Sequence, residues 1–341
     1  MLGHRMTKPT LRTISEATGL ALTTVSRALA NDPKIAEDTR RRVAQFAAAV
    51  GYIPDRAAQR LRTGRTNVIA LVLSPHVEII GFRGSLMTGL ADAIQGTRYH
   101  VSMTPYDSHS DIMRPIEHIV RNRLADGIAF AGIHLRDPRV RYLLAEDFPF
   151  VTHGRTLGDL QHPWCDYDNG RFVELALDRT RKRGRRRVLL FCPSATLTFS
   201  RHMTDALRTH GAELGLQVEN PTEVTLSSSP NEIRDYLRVR MARADPPEAI
   251  ICPGEVLALA VMSTLHDAGY VVGREVDVIA KQTSGVFDLI RPRIDTIYED
   301  LRAAGAAMGT LLLRRIAGEP ASALQNLQPP EARFRSEEDA A

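Results

Sequence analysis

Apolar positions recur through the first fifty residues with the period of a helix. Leu11, Ile14 and Ala17 share one face, Val25 and Leu29 a second, and Val43, Phe46, Ala47 and Val50 a third. The spacing predicts three helices near 11–18, 22–30 and 37–50. Thr10 stands where a side-chain cap belongs, Gly19 falls in the turn between the first two helices, and Glu37 and Asp38 suit the positive end of the third. From Asn67 the pattern changes. Val68 to Leu73 is an uninterrupted run rich in β-branched residues, the kind buried in a parallel sheet. Strand-like runs recur near 99–104, 127–131, 150–153, 188–192, 249–252, 276–280 and 296–298. Helical stretches near 84–95, 112–123, 136–145, 171–183, 200–214, 231–243, 256–268 and 301–317 alternate with them. Such alternation predicts βαβ units, and this many strands predicts two parallel sheets. The expected fold class is an all-α helix-turn-helix domain followed by an α/β core containing two parallel sheets.

Charge divides the chain at the same place. Residues 1–65 hold 12 Lys and Arg against 5 Asp and Glu, and the remainder holds 32 against 35. A basic head on a slightly acidic body is the footprint of a phosphate-binding module joined to something else. The outer face of the second helix carries Leu22, Thr23, Ser26 and Arg27 at its start, the part of a recognition helix that reaches base edges. Arg27 can make a bidentate contact to guanine worth roughly 1–3 kcal/mol of discrimination. Two arginine runs carry alternative readings. Arg40, Arg41 and Arg42 either bind phosphate or form a plain exposed face. The run 179–187, RTRKRGRRR, is either a second nucleic-acid patch or a helix end, a turn at Gly184 and a strand start.

Other chemistry is sparse. No apolar stretch is long enough for a membrane span, and the N-terminus lacks the apolar core of a secretory leader, which predicts a cytoplasmic protein. Cys165, Cys192 and Cys252 are scattered without metal spacing, as suits a reducing compartment. There is no phosphate-loop, dinucleotide, zinc-protease or nucleophile-elbow motif. No cofactor, metal, membrane partner or enzymatic activity is expected.

The head resembles the LacI/GalR family of bacterial transcription regulators. The matching segments are Thr24-Val25-Ser26-Arg27-Ala28-Leu29, Thr39-Arg40-Arg41-Arg42-Val43, Gly51-Tyr52-Ile53-Pro54 and Ala57-Ala58-Gln59-Arg60-Leu61, in the family's order and spacing. The resemblance implies a homodimer on a pseudo-palindromic operator. DNA contacts would come from Thr10, Leu11, Leu22, Thr23, Thr24, Ser26, Arg27, Asn31, Lys34 and Thr39. It also implies a hinge helix that folds on operator DNA, with Ala58 and Gln59 in the minor groove and Leu61 wedged into a base step. Ala21 and Ala36 depart from the family, which usually caps both following helices with Ser. Each missing cap costs on the order of 1 kcal/mol of local stability. Asn31 stands one step after the family's frequent Asn position, which is Ala30 here.

The body resembles the same family over nearly its full length. It would be a periplasmic-binding-protein-like core whose two subdomains are joined by three crossings, near 168–171, 294–299 and 324–327. The implied organisation is a DNA-binding domain at 8–53 and a hinge and linker at 54–66. A first core subdomain would span 67–168 and 299–325, a second 169–298 and 326–331, and a flexible tail 332–341. Ligands of open α/β sheets sit beyond the C-terminal ends of strands. That rule selects Ser74, Pro75, His76, Phe130, His153, Gly154, Arg155, Asp168, Arg201, His202, Glu255, Lys281 and Gln282. From these the expected effector contacts are Ser74, His76, Phe130, His153, Arg155, Asp168, Arg201, His202, Glu255 and Gln282. The mixture suits a hydroxyl-rich ligand. Two stretches depart from the family's sugar-binding pattern: Ala280-Lys281-Gln282-Thr283 stands for Gly-x-Asp-Asp, and Gly254-Glu255 for Asn-Asp. The expected function is a repressor of carbohydrate uptake or catabolism genes, relieved by a sugar. A corepressor or purine-type metabolite remains an alternative, as does a free sugar-binding protein.

Overall fold

In a computed structural model the described residues are 9–52, 60, 64–73, 79–105 and 111–336. The chain forms two compact units, Met1–Thr66 and Asn67–Ala341.

The head is three helices, α1 (Leu11–Thr18), α2 (Leu22–Leu29) and α3 (Glu37–Ala49). Thr10 and Thr13 form a reciprocal cap at the start of α1, each side chain accepting from the other's backbone N–H. Gly19 ends α1 at φ 69°, a left-handed conformation that only glycine adopts without strain. Ala21 and Ala36 start α2 and α3 without a side-chain cap. Ile14, Val25, Ala28, Val43 and Ala47 are the buried centre, with Leu11, Leu29, Phe46 and Tyr52 packed around it.

The second unit contains two six-stranded sheets. The first has order β11-β5-β4-β3-β1-β2, from β1 (Val68–Leu73), β2 (His100–Pro105), β3 (Gly127–Phe130), β4 (Phe150–His153), β5 (Trp164–Tyr167) and β11 (Gln325–Gln328), all parallel. The second has order β12-β10-β9-β8-β6-β7, from β6 (Arg187–Leu190), β7 (Gln217–Glu219), β8 (Ala249–Cys252), β9 (Asp277–Gln282), β10 (Asp295–Tyr298) and β12 (Glu331–Arg333). Only β12 is antiparallel to its neighbour. Helices α4 (Phe82–Ala93), α5 (Met113–Arg121), α6 (Pro138–Ala145) and α11 (Leu301–Ile316) belong to the first lobe. Helices α7 (Asn169–Lys182), α8 (Thr198–Glu213), α9 (Pro230–Met241) and α10 (Glu255–Asp267) belong to the second. Helix α11 returns from the far end of the chain to pack on α4. A Cβ on Gly305 would stand 2.3 Å from the Leu86 carbonyl oxygen, and one on Gly89 1.9 Å from that of Arg302, so this crossing admits only glycine at both points.

The chain passes between the lobes at Asp168, at Glu299–Asp300 and at Pro329–Pro330. The third passage lies later than the expected 324–327. Gln325 to Gln328 pairs in register with Trp164 to Tyr167 and so stays in the first sheet. Of the expected tail at 332–341, residues 332–336 are built into the second lobe, and 337–341 lie outside the described residues. Four of the strands, β5, β7, β11 and β12, have no long apolar run. They are short, and β7, β11 and β12 are edge strands with largely exposed faces.

Arg335 explains why the tail is held. Its guanidinium pairs with Asp277 and its backbone N–H donates to Asp295 at 2.9 Å. Asp295 also takes a two-point contact from Arg179, at 3.0 and 3.1 Å. Arg183 and Arg185 reach Asp277 at 3.5 and 2.8 Å, and Arg187 reaches Glu248 at 2.8 Å. The 179–187 run is therefore chiefly a structural cluster around buried carboxylates, with its turn at Gly184 (φ 76°). Removing one partner of a buried ion pair leaves the other charge uncompensated, at about 3–5 kcal/mol. Arg335→Ala should destabilise the core by less than that, because Asp277 keeps Arg183 and Arg185 and Asp295 keeps Arg179; the loss is read as a lower urea midpoint at unchanged slope. A midpoint within experimental error of the parent would show that the tail is not a structural element.

Candidate functional site

In the head, α2 presents Leu22, Thr23 and Arg27 to solvent, with Thr24 and Ser26 half-buried beside them. Leu22 keeps 47 % of its surface exposed although it is apolar. Arg27 is not loose: its Nε donates to Asp32 Oδ2 at 2.9 Å. Asp32 also accepts from the Lys34 N–H, and these two donors hold its carboxyl below the usual range. One edge of the Arg27 guanidinium is thus fixed by the protein. The arginines of α3 are occupied as well. Arg40 donates to the side chain of Asn31 at 2.9 Å, Arg41 pairs with Asp38 at 2.5 Å, and Arg42 donates to the Thr18 carbonyl. Asn31 takes a left-handed turn conformation (φ 56°), Thr10 is engaged as a cap, and Leu11 packs on the head core. Lys34 is exposed and Thr39 half-buried. Ala58, Gln59 and Leu61 lie outside the described residues, as do Ser74 and His76.

In the core, loops from the C-terminal ends of both sheets meet. Beside the crossings, Lys281 at the end of β9 is buried. Its Nζ is 2.8 Å from Asn169 Oδ1 and 3.0 Å from Glu299 Oε2. It also faces the ring of Tyr167 at 4.2 Å. His153 Nε2 lies 3.5 Å from the other Glu299 oxygen. Next to this group Arg155 Nε is 3.2 Å from Asp166, and its guanidinium lies over Trp164 at 5.1 Å. Burial raises Asp166 to about 7; Arg155 opposes the rise and Glu299 adds to it. His202, at the start of α8, completes the group. Burial and the neighbouring Arg155 push it down, while Asp168 pulls it up. Its Nδ1 is buried and has no hydrogen-bond partner among the described residues.

Two further contacts join the lobes. The loop after β3 and the loop before α8 form a short antiparallel bridge, Leu135 N–H to Thr196 O at 3.1 Å and Thr198 N–H to Ile133 O at 2.9 Å. The first of these loops is held from within its lobe. Arg139 is fully buried and pairs with Asp137 at 2.6 Å, Asp137 accepts from the His134 N–H, and the Thr156 hydroxyl lies 3.1 Å from the carbonyls of His134 and Leu135. The second contact joins Ile80 of the first lobe to Glu255 and Thr283 of the second.

Of the expected effector contacts, His153, Arg155, Asp168 and His202 come together at the crossings. Of the remaining described ones, Phe130, Arg201, Glu255 and Gln282 do not join them. Phe130 is fully buried, stacked on Phe150 with Arg139 over its ring, and serves the core. Arg201 pairs with Asp205 on the exposed face of α8, one helical step from His202. Glu255 is fully buried and bonded to protein donors. Gln282 exchanges hydrogen bonds with Thr296 and Ser284. Asp168 also caps α7 through the Arg171 N–H. The end-of-strand rule missed Trp164, Asp166, Asn169 and Glu299. The first two lie on a strand without a long apolar run, and the others open or close a crossing. Among the described residues no group of three or more His, Cys, Asp or Glu could hold a metal, and no helix is long and apolar enough to cross a membrane.

A family model described as "Bacterial regulatory proteins, lacI family" matches residues 10–55, and one described as "Periplasmic binding protein-like domain" matches 177–336. The chain is 31% identical over 321 residues to the HTH-type transcriptional regulator AglR of Rhizobium meliloti, covering 91% of this chain and 88% of that protein. It is 25% identical over 325 residues to the HTH-type transcriptional regulator CelR of Thermobifida fusca, covering 93% and 94%. A solved structure of a transcriptional regulator CelR–cellobiose complex shares the fold, with a TM-score of 0.70 at 22% identity over 96% of this chain and 99% of that one.

Because the folded chain holds Asp166 at about 7 against 3.8 for a free carboxyl, folding favours its protonated form. That contribution is complete below about pH 4 and is lost as the pH rises through about 7. Between those values the melting temperature of the parent should fall relative to that of Asp166→Asn. Parallel pH profiles for the two proteins would refute the elevated value.

Proposed function

The chain belongs to the LacI family of bacterial regulatory proteins, and on that premise we propose that it is a homodimeric repressor relieved by an uncharged sugar held between its core lobes. The cluster at the crossings carries this reading. Arg155 and Asp168 bring opposite charges, Asp166 is close to half-protonated near neutral pH, and His202 offers a ring nitrogen with no partner among the described residues. Such a set can donate to and accept from vicinal hydroxyls without attracting a net charge. Trp164, beneath Arg155, adds the aromatic surface that the apolar face of a sugar ring packs against. The cellobiose complex of a regulator with the same fold favours the same class of ligand.

The head would read an operator half-site through Leu22, Thr23, Ser26 and Arg27, with a second copy on the other half-site. Hinge residues Ala58, Gln59 and Leu61 would enter the minor groove, Leu61 as the wedge. A sugar that prefers one angle between the lobes biases the hinge. Sugar and operator then change each other's affinity by the same factor.

Trp164 is the only tryptophan in the chain and lies under Arg155, so its emission reports on the surroundings of that guanidinium. Titration with neutral mono- and disaccharides should give a saturable change for one of them. Arg155→Ala should weaken that sugar at least about tenfold, the scale of a lost hydrogen bond to a charged group, and leave sugar-free operator binding intact. A response confined to anionic or purine ligands would favour the metabolite-type alternative. In the head, Arg27→Ala should weaken operator binding by roughly 1–3 kcal/mol and relax preference at one base position. Uniform weakening across all sequences would instead make Arg27 a phosphate contact.

A further inference from the structure

Glu255 stands where a ligand-facing carboxylate was expected, yet every acceptor position the structure shows on it is used by the protein. Oε1 accepts from the Thr283 N–H at 2.9 Å, the Ser284 N–H at 2.8 Å and the Ser284 hydroxyl at 2.9 Å. These three donors belong to its own lobe. Oε2 faces the other lobe and accepts from the Ile80 N–H at 3.2 Å. The Thr283 hydroxyl stands between Oε2 at 3.1 Å and the Ile80 carbonyl at 3.3 Å, and can donate to either. The carboxylate is fully buried, so these are charge-assisted bonds in a low-dielectric setting.

Position in the sheets gives this contact its leverage. The crossings leave the β5/β11 edge of the first sheet and the β10/β12 edge of the second. Ile80 follows β1, with β4 and β3 lying between β1 and that edge. Glu255 follows β8 and Thr283 follows β9. The contact lies off the crossings by about one side-chain layer, through Phe82 on His153 beside Glu299, so a rotation about the crossings stretches it. Ile80 also leads directly into α4, which is locked against α11 by the glycine contacts at Gly89 and Gly305.

We infer that Glu255 is an interlobe latch, a positioning residue that holds the second lobe to the segment preceding α4 and so sets the resting angle of the cleft. It contributes through the Ile80 amide and not by touching effector. Cleft recognition then falls to the crossing-side groups and the start of α8. The latch itself does not depend on which ligand the cleft takes.

Glu255→Gln is a selective test. Its one remaining carbonyl oxygen best serves the three donors on the Oε1 side. That turns the amide NH2 toward Ile80, which loses its acceptor. In hydrogen exchange on the full chain, the Ile80 amide should exchange at least about tenfold faster in this variant, while those of Thr283 and Ser284 stay protected. The radius of gyration by solution scattering should rise. Thr283→Val removes the bridging hydroxyl without placing an amide in the buried site, and should give a smaller change of the same sign in both readouts. It decides the matter if Glu255→Gln does not fold. Release of Ile80 with no rise in radius would overturn the latch, as would unchanged exchange at Ile80. Simultaneous release of all three amides would reduce Glu255 to a loop-folding residue and overturn it too.

Discussion

A buried ammonium group must find partners for its charge and its donors, and Lys281 finds them where the two lobes are joined. Asn169 opens α7 just after the first passage, and Glu299 begins the second. Tyr167, whose ring faces the ammonium, ends the strand before the first passage. Any change in the angle between lobes must carry these groups with it, because an unpaired charge in this buried setting costs several kcal/mol. The crossing is therefore a stiff pivot, and motion is concentrated in rotation about it.

Further ionisable groups are gathered around that pivot. Arg155, Asp166 and His202 are near enough to perturb one another, and they come from the first lobe and the start of α8. They therefore bring side chains of both lobes together, the condition for any contact made among them to depend on the lobe angle. Beyond the pivot group itself the lobes also meet through the 133–135 bridge with 196–198 and the Glu255 contact.

The head shows a related economy. Its basic residues are largely bonded to neighbours in the module, Arg27 to Asp32, Arg40 to Asn31 and Arg42 to the Thr18 carbonyl. A guanidinium has five donors in a planar fork, so fixing one edge orients the other and reduces the entropy lost on meeting DNA. Two uncapped helix starts, at Ala21 and Ala36, leave backbone N–H groups at the front of the module.

Periodicity made most of the architecture legible. The three head helices, the long apolar strands and the helices between them follow from which residues must be buried, since a run such as Val68 to Leu73 has few other places to go. Motif spacing in the head and the departure at Ala21 and Ala36 were equally local and equally readable. Tertiary structure alone decided the rest. Short edge strands such as β7 and β12 gain their order from a neighbouring strand, and the tail from Arg335 meeting Asp277 and Asp295, partners far away in sequence. The same holds in the cleft. The end-of-strand rule selected His153, Arg155, Asp168 and His202, which the fold brings together at the crossings, because strand ends are set by local pattern. It could not tell that Phe130 points into the core or that Glu255 is consumed by Thr283, Ser284 and Ile80. Side-chain direction and partner availability depend on what the other lobe brings, and one-dimensional spacing carries no information about that.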